Sequence, residues 1–254
     1  MRIPSDHPRV VSMRIREQLI EHYHTQVVAT AGLIAHGRGE AFDYIIGEKT
    51  TNNALTATKV AAAAMLLAHS PVFSVNGNVA ALAAIHVVKV AEAANAKIEI
   101  NLFYRSDERD RAIESLLRRA GAKKILGVGD APYVQIPEIS SERRHVDRRG
   151  IFIADTILVP LEDGDRTEAL QKMGKTVIAI DLNPLSRTAQ LASITIVDNV
   201  IRALPNLLQE IEALKKKDKK TLQRLVSDFD NHKNLSDAIR HINQRLNKAS
   251  ECCS

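Results

Sequence analysis

KTVIAIDLNPLSRTAQLASITIVDNVIRALPN, Lys175 to Asn206, joins two short apolar runs through a turn crowded with polar side chains. Thr176 to Ile180, entered through Gly174, is largely β-branched and shows no polar alternation, the pattern of a parallel strand covered on both faces. Ile194 to Val197 repeats it. Asp181 and Asn183 follow the first run, and Asp198 and Asn199 follow the second, so two strand ends deliver polar groups to one edge. Ligands of open α/β sheets lie outside the carboxyl ends of the strands, where an acidic side chain can accept hydrogen bonds from ribose hydroxyls. An isolated Asp-x-Asn-Pro is better read as an Asx turn. The second Asp-Asn, at the neighbouring strand end, favours a site.

Working outward, the upstream sequence alternates regularly: strand Val72 to Val75, helix Asn78 to Ala94, strand Lys97 to Phe103, helix Asp107 to Ala120, strand Lys124 to Val128. That is a parallel βαβαβ series. Its second helix has Ser106 as N-cap, Asp107 and Glu108 in its first turn, and Arg118, Arg119 and Gly121 at its close. The whole predicts an α/β fold, a Rossmann-like, mostly parallel sheet with helices on both faces. The turn Asn76-Gly77-Asn78 could present free N–H groups and amide donors to an anion, although a plain tight turn fits too. Neither the dinucleotide fingerprint nor the P-loop occurs. Tyr104 and Arg105 end the next strand at the same edge. Gly129 to Gly150 has prolines, charges and no periodicity, and reads as a long functional loop or edge excursion. After a strand at Thr156 to Val159, Glu162, Asp163, Asp165 and Arg166 crowd the start of a helix. Capping is the favoured reading for the carboxylates; holding magnesium through water beside a triphosphate is the other.

Helical additions are expected at both ends, giving one domain with a helical part at 1–70, an α/β core at 71–206 and a helical tail at 207–254. Pro8 opens a predicted helix whose Val11, Ile15 and Leu19 form one apolar stripe and whose Arg14 and Arg16 diverge. In Leu33 to Thr50, Gly37 and Gly39 flank Arg38 among His36, Glu40, Asp43, Glu48 and Lys49. Each glycine costs a helix roughly 1 kcal/mol, which predicts a bend or close approach there, with Arg38 either meeting a phosphate or exposed on a turn. Thr51 to Ser70 reads as an Ala-rich buried helix. In the tail, Leu222, Leu225, Val226 and Phe229, then Leu235, Ile239, Ile242 and Leu246, make two apolar stripes that need covering.

Composition bounds the function. The 254 residues carry 45% hydrophobic and 26% charged residues, no Trp, and a net charge of +5. No apolar run spans a bilayer and the N-terminus lacks a signal-peptide core, so a soluble, cytoplasmic protein without a membrane partner is expected. Cys252 and Cys253, adjacent at the chain's end, form neither a disulfide framework nor a spaced zinc site. Basic charge suits nucleotides, phosphorylated metabolites or nucleic acid. Lys215, Lys216, Lys217, Lys219 and Lys220 form the one dense basic patch, without aromatic residues to stack on bases, and read as a solvated helical face rather than a nucleic-acid site.

The strings GLIAHGRGEAFDYIIGEKTT, VNGNVAAL, EINLFYR, VPLEDGDRTEALQKMGKTVIAIDLNPLSRTA and ITIVDN resemble the archaeal phosphopantothenate synthetase family, the 4-phosphopantoate β-alanine ligases. The resemblance runs from Ile3 to about Asn206 and carries little into the tail after Glu212. It implies a homodimer on a Rossmann-like fold that condenses 4-phosphopantoate with β-alanine, using ATP and Mg2+, to 4'-phosphopantothenate, AMP and diphosphate through an acyl adenylate, in coenzyme A biosynthesis. It also implies Arg16 and Arg38 as phosphate contacts, Asp181, Leu182 and Asn183 as ribose or adenine contacts, and Arg187, Thr188, Asn199 and Val200 as further nucleotide contacts. Position and charge add Lys49, Arg105 and Asp165 as candidate catalytic residues, Asn76, Asn78 and Arg166 as candidate substrate contacts, and Asp163 as candidate magnesium ligand. Another nucleotide-dependent Rossmann enzyme is the alternative, with a nucleic-acid-binding protein behind it.

Overall fold

A computed structural model describes residues 4, 6, 7 and 9–251; Pro8, Cys252 and Cys253 lie outside them. Six strands, β1 (Pro71–Val75), β2 (Lys97–Ile100), β3 (Ile125–Leu126), β6 (Thr156–Pro160), β7 (Thr176–Ile180) and β8 (Ile194–Ile196), form one sheet in the order β3-β2-β1-β6-β7-β8. Every pairing in it is parallel. Thr176 to Ile180 is a strand as expected, buried from Val177 onward. The strands at Lys97 and Ile125 stop at Ile100 and Leu126, earlier than the apolar pattern predicts.

One face carries α3 (Asn52–Leu67), α4 (Gly77–Ala93), α5 (Asp107–Arg119) and α8 (Val200–Leu214) over Phe73, Ile98, Ile100, Leu158 and Ile178. Ala57, Ala61 and Ala64 of α3 are buried, and small side chains let that helix lie close to its neighbours. The other face is covered by α6 (Gly164–Lys172), α7 (Arg187–Leu191) and the 129–150 segment. That segment is not an irregular loop. It holds an antiparallel pair, β4 (Tyr133–Gln135) with β5 (His145–Asp147), and a 3-10 turn at Glu142–Arg144, and it buries Ile136, Ile139 and Val146, with Ile151 just after it, against the sheet.

Strand β2 explains how the segment docks. Side chains alternate across a strand, so Ile98 and Ile100 enter the helical core while Glu99 and Asn101, fully buried, point the opposite way. Glu99 accepts the N–H groups of Asp147 and Ile151 at 2.8 and 2.6 Å. Asn101 donates to the carbonyls of Arg143 and His145. Burial pushes the Glu99 carboxyl up to about 7 even though both N–H bonds favour its ionised form.

At the N-terminus α1 (Val10–His24) buries Ser12, Ile15 and Leu19; Val11 of the expected stripe is 56% exposed, so the inward face is rotated by one residue. α2 (Thr30–Ile46) runs unbroken through Gly37 and Gly39, contrary to the expected bend. A Cβ on Gly37 would meet nothing within 4 Å. The tail helices α9 (Lys219–Ser227) and α10 (Asn231–Glu251), with the link between them, pack Leu222, Leu225, Val226, Phe229, Leu235 and Ile242 against the rest of the chain, while Leu246, last of the second stripe, stays 49% exposed. Asn231 and Asn234 of α10 accept from the Thr195 N–H and donate to its carbonyl at 2.8 Å each, satisfying the open edge of β8. His241 and Arg245 reach the Ile46 and Ile45 carbonyls at the end of α2. The five tail lysines are exposed. Among the described residues no helix is long and apolar enough to cross a membrane.

Two outcomes follow. Gly37→Ala, in open space inside a helix, should raise the unfolding free energy by about 0.5–1 kcal/mol in urea denaturation, with no loss of activity. Glu99 has a folded-state pKa near 7 against an ordinary value of 4.5, so the stability tied to its protonation is present below about pH 4.5 and lost as pH rises through 7. In Glu99→Gln, the decline of unfolding free energy across that window should be shallower than in the parent; equal slopes would place the titration elsewhere.

Candidate functional site

Between β1 and β6 the connections leave for opposite faces of the sheet, and the carboxyl ends part there as a crevice. A cavity of about 250 Å³ fills it, walled by strand-end residues Asn76, Leu102, Leu161, Leu182 and Asn199 and roofed by α2. Two close approaches set the roof. The Asn78 amide donates to the Gly32 carbonyl at 2.8 Å, and a Cβ on Gly32 would stand 2.3 Å from Asn78 Oδ1. A Cβ on Gly77 would stand 2.1 Å from the Val27 carbonyl oxygen. Gly77 therefore requires glycine and a side chain at Gly32 would displace the Asn78 amide, whereas Gly37 and Gly39, which stand out in the sequence, meet no such contact. The start of α4 also lines the cavity through Gly77 and Asn78, and Asn76 caps it by accepting the Val79 N–H at 3.1 Å. The start of α8 faces the same space through Val200, capped by Asn199.

Three guanidiniums line this cavity, from Arg38 on α2, Arg109 on α5 and Arg143 in the 3-10 turn, against the carboxylate of Asp163. His36 lies beside them with its Nε2 buried and unbonded, and burial holds its pKa low, so it is neutral at pH 7. Cations in a largely apolar crevice, with helix N-termini in its wall, make a receptor for polyanions.

Residues 53–245 match the phosphopantothenate/pantothenate synthetase family. The chain is 51% identical over 250 residues to the 4-phosphopantoate–β-alanine ligase of Thermococcus kodakarensis, covering 98% of this chain and 95% of the relative. It is 50% identical over 244 residues to the protein of the same name from Methanosarcina mazei, covering 96% and 95%. The chain belongs to the phosphopantothenate synthetase family. The match continues to residue 245, so the Lys-rich stretch expected to carry little family signal lies within it.

Of the residues expected in a synthetase site, Arg38, Asn76, Asn78, Asp163, Leu182, Asn199 and Val200 converge on the cavity. Others stand outside its lining. Arg16 grips Glu40 through Nε, 3.0 Å from both carboxylate oxygens. Lys49 is exposed beyond the end of α2. Arg105 binds the Gly127 carbonyl, the Tyr133 hydroxyl and Asp110. Asp165 pairs with Arg187 at the surface, and Thr188 donates to the Glu162 carbonyl at 2.9 Å. Arg166 is fully buried, bound to Glu162 and to Ser74 Oγ, so it supports the wall from behind. Asp181 accepts from the Asn183 N–H and the Ser186 hydroxyl, and Asn183 accepts from the Leu185 N–H; both side chains build the turn. Asp163 sits at the N-cap position of α6 but makes no capping bond, because Arg143 takes its carboxylate, with Nε 2.9 Å from Oδ2. Sequence reading missed Arg109, Arg143, Gly32 and the role of the 129–150 segment. The alternation Ile98-Glu99-Ile100-Asn101 was the available signal, since two polar residues on one strand face require something to bind.

Asn199 and Val200 are placed by a buried network. Asn199 donates to Asp43 at 2.9 Å, and Arg202 bridges Asp43 and Asp198 at 2.5 and 2.7 Å. Thr50 donates to Asp198 at 2.6 Å, and burial pushes the Asp198 carboxyl up. Arg202→Met leaves two buried carboxylates without their cation and should cost about 3–5 kcal/mol at pH 7.5 in chemical denaturation. The deficit should shrink as pH falls, since burial already pushes the Asp198 carboxyl up and its protonation removes a charge left unpaired. A deficit independent of pH would point to lost packing instead.

Proposed function

We propose that this protein joins 4-phosphopantoate to β-alanine, consuming ATP and giving 4'-phosphopantothenate, AMP and diphosphate. The observation that carries the reading is the convergence of three guanidiniums and the N-termini of α4 and α8 on one cavity at the switch point. A carboxylate and an ammonium do not condense directly. The carboxylate oxygen must first attack the α-phosphorus of ATP, expelling diphosphate, and the β-alanine amine then attacks the acyl carbon, expelling AMP and releasing a proton. Catalysis of both steps is chiefly positioning and charge stabilisation, for which a cavity of fixed cations is suited.

The β7–β8 half of the cavity, with Arg38, Leu182, Asn199 and Val200, takes the nucleotide. Arg38 makes no hydrogen bond or ion pair to another described residue, and its charge acts on nearby Asp181. A nucleotide phosphate supplies the anion it lacks, and the Asp181 turn presents Leu182 and Asn183 to the base and sugar. Asp163, the carboxylate in the lining, would hold a Mg2+ accompanying the triphosphate, and the ion would supply charge neutralisation. Exposed Val11, Ile20 and Ile34 on α1 and α2 give a homodimer an apolar surface, and the cytoplasm is the compartment for the reaction.

Purified protein should release AMP from ATP only when both 4-phosphopantoate and β-alanine are present. AMP release with neither acceptor, or none with both, sinks the reading. Arg38→Lys, which keeps the charge but loses the planar fork, should weaken ATP binding about tenfold by calorimetry while the melting temperature holds; undiminished affinity would remove Arg38 from the nucleotide site.

A further inference from the structure

A second cavity, of about 500 Å³, opens where the start of α3 meets the link between α9 and α10, and none of the residues lining it lines the crevice. Two asparagines in its wall have opposite needs. Asn234 of α10, 6% exposed, donates its amide to the Thr195 carbonyl, which leaves its Oδ1 buried without a donor. Asn53 of α3 accepts the Thr51 hydroxyl on Oδ1, which leaves its Nδ2 buried without an acceptor. Buried polar atoms left unmet are costly, so this pair calls for a molecule that carries both a donor and an acceptor. The surroundings say which groups these are. Asp228, Asp230 and Asp237 line the cavity against one ammonium, that of Lys233. Lys233 is taken by Asp237 at 2.8 Å, and Arg224 lies 3.3 Å from Asp228. Asp230 pairs with no cation among the described residues; its Oδ1 accepts the N–H groups of His232 and Lys233. Among the described residues the carboxylates do not gather at the spacing of a metal site, so the cation they suit is an organic ammonium. Opposite them, Asn52 and Asn53 open the 16-residue helix α3, whose positive end favours a carboxylate.

We propose that this cavity binds a small aliphatic amino acid as its zwitterion, with the ammonium toward Asp230 and Asn234 Oδ1 and the carboxylate toward Asn53 Nδ2 and the start of α3. Both unmet atoms then gain partners of the right kind, and the hydrocarbon lies on Phe229, which supplies an apolar wall. A simple amine leaves Asn53 unmet and offers nothing to the helix start. A simple acid leaves Asn234 unmet and faces three carboxylates. A single water serves one asparagine, yet the cavity is many times the roughly 30 Å³ that a water takes up. The site is separate from the reaction proposed above and stands whether or not that reading does.

Calorimetry and thermal shift on the whole protein test this, with L-leucine as the probe. The controls are 3-methylbutylamine and 4-methylpentanoate, which are leucine without its carboxylate and without its ammonium. L-Leucine should bind and raise the melting temperature, and each half-molecule should bind at least tenfold more weakly. Saturating ATP should leave the leucine affinity within twofold. Asn53→Ala, which keeps Thr51 as the cap of the Ala54 N–H, should weaken leucine binding at least tenfold. Should it not fold, Thr56→Arg, at an exposed position on the same wall, fills the cavity and carries the same test. No binding of L-leucine, an affinity matched by either half-molecule, competition with ATP, or undiminished binding in the folded variant overturns the site.

Discussion

Everything at the active edge of this protein follows from the sheet order. With β1 and β6 adjacent and their connections leaving for opposite faces, no helix can cover the gap at their carboxyl ends. The gap has to be closed by something that is not part of the repeating βα unit. The chain supplies two such pieces, the N-terminal helix α2 as a roof and the 129–150 segment as a wall. Neither would stay in place by apolar burial alone. The roof is held where the Asn78 amide meets the Gly32 carbonyl and where Gly77 passes the Val27 backbone too closely for a side chain. The wall is held by Glu99 and Asn101, which bind it through its backbone.

The same edge concentrates buried charge. Glu99, Asp147, Arg143, Arg166, Asp198 and Asp43 are all nearly inaccessible. A core of hydrophobic residues would be at least as stable, since desolvating such groups often cancels their mutual attraction. Their distribution accounts for their presence. The Arg166–Glu162–Arg143 chain fixes one guanidinium at the cavity wall, and the Asp43–Arg202–Asp198 bridge fixes the start of α8 on the opposite side. Rigid placement of cations is what an electrostatic catalyst needs, and burial is how these side chains lose their freedom.

The parallel sheet was legible because its strands are apolar on both faces, so that burial and β-branching coincide in Thr176 to Ile180 and Ile194 to Ile196. Asn76, Asn78 and Asn199 were marked for the related reason that strand ends mark the ligand edge, whereas Leu182 and Val200 came only with the family resemblance. Other residues were misplaced where tertiary context decides. Gly37 and Gly39 weaken a helix in isolation, but α2 is sustained by its contacts with α1 and α10, and nothing forces the backbone to turn. Asp163 has the residue type and position of a cap, yet the stronger attraction of Arg143 takes its carboxylate. Arg143 itself lies in a segment without periodicity, and only the polar face of β2 hints that the segment is packed.

The two strand-end aspartates that first marked this edge are held by partners in and around their own turns. Asp181 is occupied by Asn183 and Ser186, and Asp198 by Thr50, Arg202 and the Asn199 N–H. Neither lines the cavity, while the residues after them, Leu182 and Asn199, do. Leu182 and Val200 have no polar side-chain atoms, so any hydrogen bond they give a nucleotide must come from the backbone. Backbone groups can be aimed only by fixing the dihedral angles of the turn, and an aspartate that accepts two or three local donors does this. The aspartates act as frames for the turns that bring Leu182, Asn199 and Val200 to the cavity.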